Sequence, residues 1–349
     1  MHTAAYPEQP AARRRWIEER RGLRNGVDPT RPHAFFLEEE CSERGEVVPI
    51  LTVFLTNREC PWRCLMCDLW KNTLTESVTR GMIPAQIDYA LERGCPRPQQ
   101  CAKRECLSPY QIVAPTNPAA GEDARAPQHI KLYNSGSFFD RGAIPKEDYT
   151  EIARRVRSFS RVVLECHPKL VSDEVLRFRD LIGTQLEIAM GLETANPDTL
   201  ARLNKGMTLD DFAKAAAFLR SHEIGVRAFI LLKPPFTTEA EGVTWAKRSI
   251  DFAFDTGVNV ACVIPTRLGN GGLDALAARD EFSPPRLASL EGALTYGLGL
   301  KRERVFADLW DLQLFSQCSA CFEARRQRLR EMNLSQRVLP RVECPVCEN

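Results

Sequence analysis

The chain has 349 residues, 44% of them hydrophobic and 27% charged, with a formal net charge of +1; this suits a soluble globular protein with one large α/β domain plus appendages, and it excludes a disordered chain or one that seeks polyanions over its whole surface. No apolar run approaches the roughly 20 residues of a membrane helix, and the Arg-rich stretch up to Arg24 lacks the apolar segment of a secretory signal. Thirteen cysteines, an odd number, point to a reducing cytoplasm rather than to a disulfide framework.

In chain order, residues 1–46 read as a basic extension. Arg13, Arg14, Arg15, Arg20, Arg21 and Arg24 form a patch able to meet phosphate, although Glu18 and Glu19 interleave it as on a solvated helix face. The apolar run 47–56 predicts a buried strand, and Cys60, Cys64 and Cys67 begin four residues after it, spaced C-x3-C-x2-C beside Trp62 and Trp70. Thiolates are the usual ligands of iron–sulfur clusters, and a [4Fe–4S] cube held by cysteine alone takes four. Three leave one iron with an open coordination site, and an open site on a metal is where chemistry happens. The competing reading is three free thiols, which the loop-like setting and the clustering disfavour.

A helix over 85–93 follows Pro84 and stops before Gly94. Residues 94–128, with six Pro and with Cys95, Cys101 and Cys106, read as an inserted loop with incidental thiols. Strands are then predicted over 129–134, 161–166, 185–192, 226–232 and 258–264. The helices between and after them cover 146–159, 172–182 with Ser172 as N-cap, a pair whose second member starts at Thr208 with Asp211 in a capping-box position, 239–255, and a stretch from Pro284. Six strand–helix units in series imply a parallel sheet with right-handed crossovers, for which a (β/α) barrel is the natural closure. Working residues then belong at the C-terminal ends of the strands.

The tail, 301–349, carries Cys318-Ser-Ala-Cys321 and Cys344-Pro-Val-Cys347, two C-x2-C knuckles 22 residues apart. Four thiolates in paired spacing signal a metal, either structural Zn2+ or a second iron–sulfur cluster. Arg325, Arg326, Arg328, Arg330, Arg337 and Arg341 between and beside the knuckles make a basic module suited to an RNA backbone.

The cysteine loop after a first strand resembles the radical S-adenosylmethionine (radical SAM) superfamily. The resemblance departs at Met66, where the family often has an aromatic residue. It implies a partial six-unit barrel over 47–300, a [4Fe–4S] cluster on Cys60, Cys64 and Cys67, SAM on the open iron, and reductive cleavage of SAM to a 5′-deoxyadenosyl radical. In the run Tyr133-Asn-Ser-Gly-Ser-Phe-Phe-Asp140, Ser135-Gly136-Ser137 stands where the family places a Gly-rich turn for the SAM amino group. Glu165 at the third strand end matches a ribose-binding Glu; a salt bridge to Lys131 or an Arg is its structural alternative. The segment Gly191-Leu-Glu-Thr-Ala to Gly206 is similar to that of coproporphyrinogen dehydrogenases, methylthiotransferases and elongator-type tRNA-modifying enzymes. There a Gln ends the strand and an Arg follows twelve residues on, on the next helix; Glu193 and Lys205 take those places, implying contacts with the SAM ribose and carboxylate. Leu232-Lys-Pro-Pro-Phe236 and Gly269-Asn-Gly-Gly272 would wall the adenine side.

Within the superfamily the chain resembles the archaeosine-synthase type and its bacterial relatives. That implies radical C–N cleavage on a modified 7-deazaguanine in tRNA, with Asp140 and His167 as substrate-side groups and a ferredoxin or flavodoxin as electron donor. His167 also fits a purely structural histidine. Two other readings stay open: a radical SAM enzyme acting on a small molecule or peptide with an auxiliary cluster in the tail, and a metal-stapled RNA-binding protein without catalysis.

Overall fold

This computed structural model describes residues 5–94 and 126–347, and within them eight strands hydrogen-bond in chain order. β1 (Ala34–Cys41) runs antiparallel to β2 (Val47–Phe54). β3 (His129–Tyr133), β4 (Arg161–Glu165), β5 (Gln185–Glu193), β6 (Gly225–Leu232), β7 (Val260–Pro265) and β8 (Arg304–Ala307) follow, each parallel to the strand before it. The helices are α1 (Pro10–Glu18), α2 (Met82–Gly94), α3 (Tyr149–Val156), α4 (Asp173–Ile182), α5 (Pro197–Arg202), α6 (Leu209–Ser221), α7 (Glu239–Asp255), α8 (Gly272–Ala277), α9 (Leu287–Gly299) and α10 (Ser319–Ser335). The six predicted strand–helix units are β2 to β7, curled as a partial barrel. The sheet reaches past 47–300 on both sides, since β1 lies in the N-terminal stretch and β8 beyond residue 300. Most of the loop expected over 94–128, with Cys95, Cys101 and Cys106, lies outside the described residues.

The strands bury both faces. Outward positions such as Ile130, Leu132, Val162, Leu164, Ile188, Val226, Ala228 and Val263 are fully buried beneath the helices, which gives the apolar runs that make a parallel sheet readable. The inward face carries charge. Lys131 of β3 donates to Glu38 (2.8 Å) and Glu40 (2.6 Å) of β1, and Arg227 of β6 reaches across the lumen to Glu40 (3.0 Å) and to Glu187 of β5 (2.6 Å). Burial alone would push Glu40 up; Arg227 and Lys131 outweigh it and hold the carboxyl well below its usual range. At the open seam Arg304 of β8 donates to the Cys41 carbonyl of β1 (3.0 Å), so side chains join edges that no strand pairing joins. Such a network is costly to desolvate and costlier to break, and it fixes the curl of the sheet.

Local chemistry sets the helix starts. Thr208 and Asp211 form the expected capping box, and Thr238 with Glu241 forms another. Ser172 occupies the N-cap of α4, but its hydroxyl donates to the Leu170 carbonyl (3.4 Å) and caps nothing. α2 starts at Met82, two residues before Pro84, and Gly94 is its last residue rather than a stop beyond it. A Cβ on Gly94 would lie 2.7 Å from Leu51 Cδ1, so close packing on β2 selects glycine there. Among the described residues no helix is long and apolar enough to cross a membrane.

Candidate active site and metal centre

The loop bearing Cys60, Cys64 and Cys67 leaves β2 at the C-terminal rim of the parallel strands and is pinned from three directions. Leu65 N donates to the Leu203 carbonyl (2.9 Å), and Asn204 Nδ2 donates to the Arg63 carbonyl (2.8 Å). Asn270 Nδ2 donates to the Leu65 carbonyl (2.7 Å) while its Oδ1 accepts from Leu273 N (2.7 Å). Glu59, one residue before Cys60, accepts from Arg21 (2.6 Å), Arg24 and Arg63 (3.1 Å). Beneath the loop, Trp16 and Ile17 of α1 pack with Leu65, Leu273, Leu276 and Phe282 as a second apolar core.

This corrects the expectation of an N-terminal phosphate patch. Arg20 lies over the Trp16 ring at 3.8 Å, Arg21 and Arg24 hold Glu59, and Arg14 pairs with Glu18 (3.3 Å). Arg21 and Arg24 thus fasten the N-terminal segment to the cysteine loop, and Arg13 ties it to the Ala201 carbonyl (2.6 Å).

Ser135-Gly136-Ser137 turns against the same loop. A Cβ on Gly136 would lie 2.9 Å from Cys60 Cβ, so only glycine permits the approach. Ser135 takes a left-handed φ of 55°, uncommon for a residue with a side chain. Glu165 holds the turn: its carboxylate accepts from Asn134 N (2.8 Å) and faces the N–H groups of Ser135 and Gly136. Burial pushes Glu165 up to about 7 against the pull of these amides. The salt-bridge alternative to Lys131 is not realised, since Lys131 is taken by Glu38 and Glu40. Around the turn, Asn134 Oδ1 and Nδ2, Ser135 Oγ and Asp140 Oδ2 are buried without hydrogen-bond partners. Asp140 Oδ1 accepts from Gly142 N (2.9 Å), and the carboxylate bears electrostatically on Cys60. Orphaned polar atoms in such number suit a polar ligand.

Glu193 and Lys205 meet each other. Nζ lies 2.7 Å from Oε1, and both residues are buried. A bulge between Gly191 and Glu193, with Glu193 at φ 65°, turns the carboxylate inward. A Cβ on Gly191 would lie 2.1 Å from Glu193 Oε1 and 2.5 Å from Lys205 Nζ, so the missing side chain makes room for the pair. Lys205 stands in the turn after α5, not on the helix as expected. Burial pushes all three loop thiols up to about 12, and Lys205 opposes that at Cys60 and Cys64. Thiolates here need further positive charge, which a bound metal provides.

His167 is fully engaged: Nδ1 accepts from Lys169 N (3.2 Å), leaving Nε2–H to donate to the Lys205 carbonyl (3.1 Å). Burial, then Lys205, lowers its pKa to about 3, so the ring is neutral. Trp62 stacks on it at 3.7 Å and 6°. The imidazole positions Lys205 and the cysteine loop and has no spare nitrogen for substrate.

In the tail, Sγ of Cys318, Cys321, Cys344 and Cys347 all lie within 4.8 Å of one another, with Cys318–Cys344 at 3.9 Å and Cys321–Cys347 at 3.4 Å. A tetrahedral Zn–S4 site with bonds of about 2.3 Å has sulfur–sulfur edges of about 3.8 Å. Backbone N–H groups facing the sulfurs lower Cys344 to about 6 and lower Cys318 too, while burial raises Cys321 and the neighbouring thiols push Cys347 up to about 12, so two of the four favour the thiolate without a metal and the other two need its charge. Most of the tail arginines are already used. Arg325 pairs with Glu291 (2.6 Å), Arg326 with Glu323 (2.5 Å) and Arg330 with Glu39 (2.8 Å), and Arg328 donates to the Leu339 and Pro340 carbonyls. Arg337 and Arg341 alone stay exposed without a partner among the described residues.

Sequence reasoning passed over Glu59 and quoted Trp62, Gly191 and Asn270 within their runs without the packing roles they take here. Of these, Asn270 within Gly269-Asn-Gly-Gly272 and Glu59 beside Cys60 had a visible signal in their position; the part Gly191 plays depends on the bulge.

No protein-family model matches the chain. An archaeosine synthase subunit beta of Thermococcus kodakarensis is 33% identical over 175 residues, 48% of this chain and 54% of that one. The subunit of the same name in Methanosarcina acetivorans is 29% identical over 172 residues, 46% and 48% of the two chains. An uncharacterized protein of Methanocaldococcus jannaschii is 23% identical over 273 residues, 75% and 68% of the two chains. The chain spans about half the length of the two archaeosine synthase subunits it matches.

Proposed function

We propose, from a chain that resembles the radical SAM enzymes and archaeosine synthase in particular, a radical SAM enzyme that modifies a nucleoside of tRNA, a 7-deazaguanine by C–N cleavage. The observation that carries this reading is the convergence at one strand rim of Cys60, Cys64 and Cys67 with Gly136 and the Glu193–Lys205 pair. These residues fit a cluster and its ligand: three thiols for three irons, and orphaned Asn134, Ser135 and Asp140 atoms beside them for an amino-acid moiety. A [4Fe–4S] cluster with SAM on its open iron would supply one-electron cleavage of SAM to a radical that abstracts hydrogen from substrate.

The protein's part is binding, orientation and exclusion of water. Lys205 offers its ammonium to a ligand carboxylate and tempers the charge of the thiolates. Glu193 keeps Oε2 without a protein partner among the described residues, available to a ribose hydroxyl. Glu165 acts indirectly, holding the Ser135–Ser137 backbone in place rather than touching the ribose. Asp140 is the group left to face substrate. The sheet from β1 to β8 serves as the catalytic barrel, wider than 47–300, and the residues from Cys318 onward as a module stapled by Zn2+. The 3.4–3.9 Å thiol spacing favours one ion over a cubane that spreads its thiolates over four irons. A ferredoxin or flavodoxin as donor and a reducing cytoplasm complete the reading.

Nucleoside mass spectrometry of total tRNA from a deletion strain tests it. Loss of one 7-deazaguanine nucleoside with build-up of its precursor is expected; an unchanged profile would remove tRNA as the substrate class.

A further inference from the structure

Alternation along the strands sorts side chains between the helices and the lumen. Lys131, Arg227 and Glu38 face the lumen, so Tyr133 of β3, Phe229 of β6 and Phe36 of β1, each two positions away, face it too. Phe54 of β2 stands two residues after Thr52, whose hydroxyl donates to Glu38. The rings touch in a chain: Phe36 lies 5.8 Å from Phe54, Phe54 5.8 Å from Tyr133, and Tyr133 6.0 Å from Phe229. β4 and β5 separate β3 from β6 in the sheet, so the last contact spans the lumen. Trp310, three residues beyond β8, packs on Phe36 (5.2 Å) and Phe54 (5.9 Å). These five rings floor the barrel mouth, since Phe54 leads into the cysteine loop and Tyr133 into the Ser135–Ser137 turn.

All five rings stay only half-buried although they point inward, whereas Val53 and Leu132, the outward neighbours of Phe54 and Tyr133, are fully buried. The floor therefore borders open space. Two of its rings carry free donors: neither the Tyr133 hydroxyl nor the Trp310 indole Nε1–H makes a hydrogen bond among the described residues, and such groups take a partner once they are covered. Thr56, two positions beyond Phe54, has its Oγ1 buried without a partner as well. The layer below the rings is charged but closed on itself, Lys131 with Glu38 and Glu40, and Arg227 with Glu40 and Glu187. Above them Lys205 holds Glu193, Arg267 holds Asp308 (2.7 Å), and Glu165 holds the turn amides. Asp140, beside Cys60, has no cation partner among the described residues. A phosphate or other anion would meet no free cation on this floor, so the occupant it suits is neutral.

We propose that this floor takes a planar heteroaromatic base, stacked on Tyr133 and Trp310, with the phenol and the indole N–H donating to the base edge. Ring faces with donors at their margins read a base that has left its own stack by stacking and edge hydrogen bonds together. An aliphatic or sugar group would cover the same area and leave the two donors unpaired. The proposal rests on the tRNA reading above for its choice of base and names the part of the site that holds it.

Equilibrium dialysis of 7-deazaguanosine against the reconstituted full chain with SAM tests it, with ribose as the probe that has no ring to stack. Wild type should take up 7-deazaguanosine saturably and ribose not at all. Y133L and W310L should each bind about 5- to 100-fold more weakly. Y133F and W310F keep a ring and lose only the donor, so they should lose less, and they serve where leucine disturbs folding. W245L, on α7 outside the lumen, should bind like wild type. No saturable uptake of 7-deazaguanosine, equal uptake of ribose, or wild-type affinity in both Y133L and W310L would overturn the floor and leave the tRNA reading to the deletion-strain profile. The expected dialysis result with an unchanged tRNA profile would overturn the tRNA reading and keep the floor.

Discussion

A methyl group on Gly136 would press on Cys60, and that contact ties the strand-end turn to the cysteine loop. G136A should displace the cysteine loop, cost about 1–3 kcal/mol as overpacking does, and drop reconstituted iron well below four atoms per chain; full iron at unchanged stability would contradict the contact. Glu165 and His167 predict opposing pH slopes. Glu165 holds its proton to about 7 when folded but to about 4.3 when unfolded. Between those values the native chain binds more protons, and stability falls as pH rises. His167, at about 3 folded and about 6.5 unfolded, works the other way: stability falls as pH drops below about 6.5. E165Q removes the first slope. Its stability relative to wild type should climb between pH 4.5 and 7.5, by on the order of 3 kcal/mol at most, in urea denaturation at each pH. A flat difference would mean that Glu165 ionises as an ordinary carboxylate.

At the scale of elements, the bulge at the end of β5 brings together residues twelve positions apart. K205M leaves the Glu193 carboxylate buried and unpaired and should destabilise by about 3–5 kcal/mol, whereas K205M/E193L should recover most of that loss. Denaturation midpoints decide it; additive losses would mean that the pair contributes nothing. What could be read in advance follows from the same geometry. β2 to β7 were legible because outward positions such as Val162 and Leu164 pack beneath helices, and their apolar runs are continuous. β1 was not, because Glu38, Glu39 and Glu40 look like solvated surface in sequence, while Glu38 and Glu40 pair with Lys131 and Arg227 inside the barrel. Cysteine spacing is local and survives in one dimension. The partners of Glu165 are amides 29 to 31 residues away on another loop, and those of Arg325 and Arg330 lie on α9 and β1. No periodicity records such distances.

For the whole molecule, the proposed function divides the work between two cysteine sets: three thiols at the strand rim, tied to the N-terminal segment, and four that bring the start of α10 together with the segment around Cys344 and Cys347. C344S/C347S should lose about one zinc per chain and keep the iron, by metal analysis of the reconstituted protein; parallel loss of iron would show the tail set to be a cluster. The central claim is that Cys60, Cys64 and Cys67 hold a cluster that cleaves SAM. Anaerobic reconstitution with iron and sulfide, reduction with dithionite and chromatography of the products test it most directly. About four irons per chain with formation of 5′-deoxyadenosine and methionine is the predicted result, abolished in C60A/C64A/C67A. A reduced, four-iron protein that leaves SAM intact would contradict it.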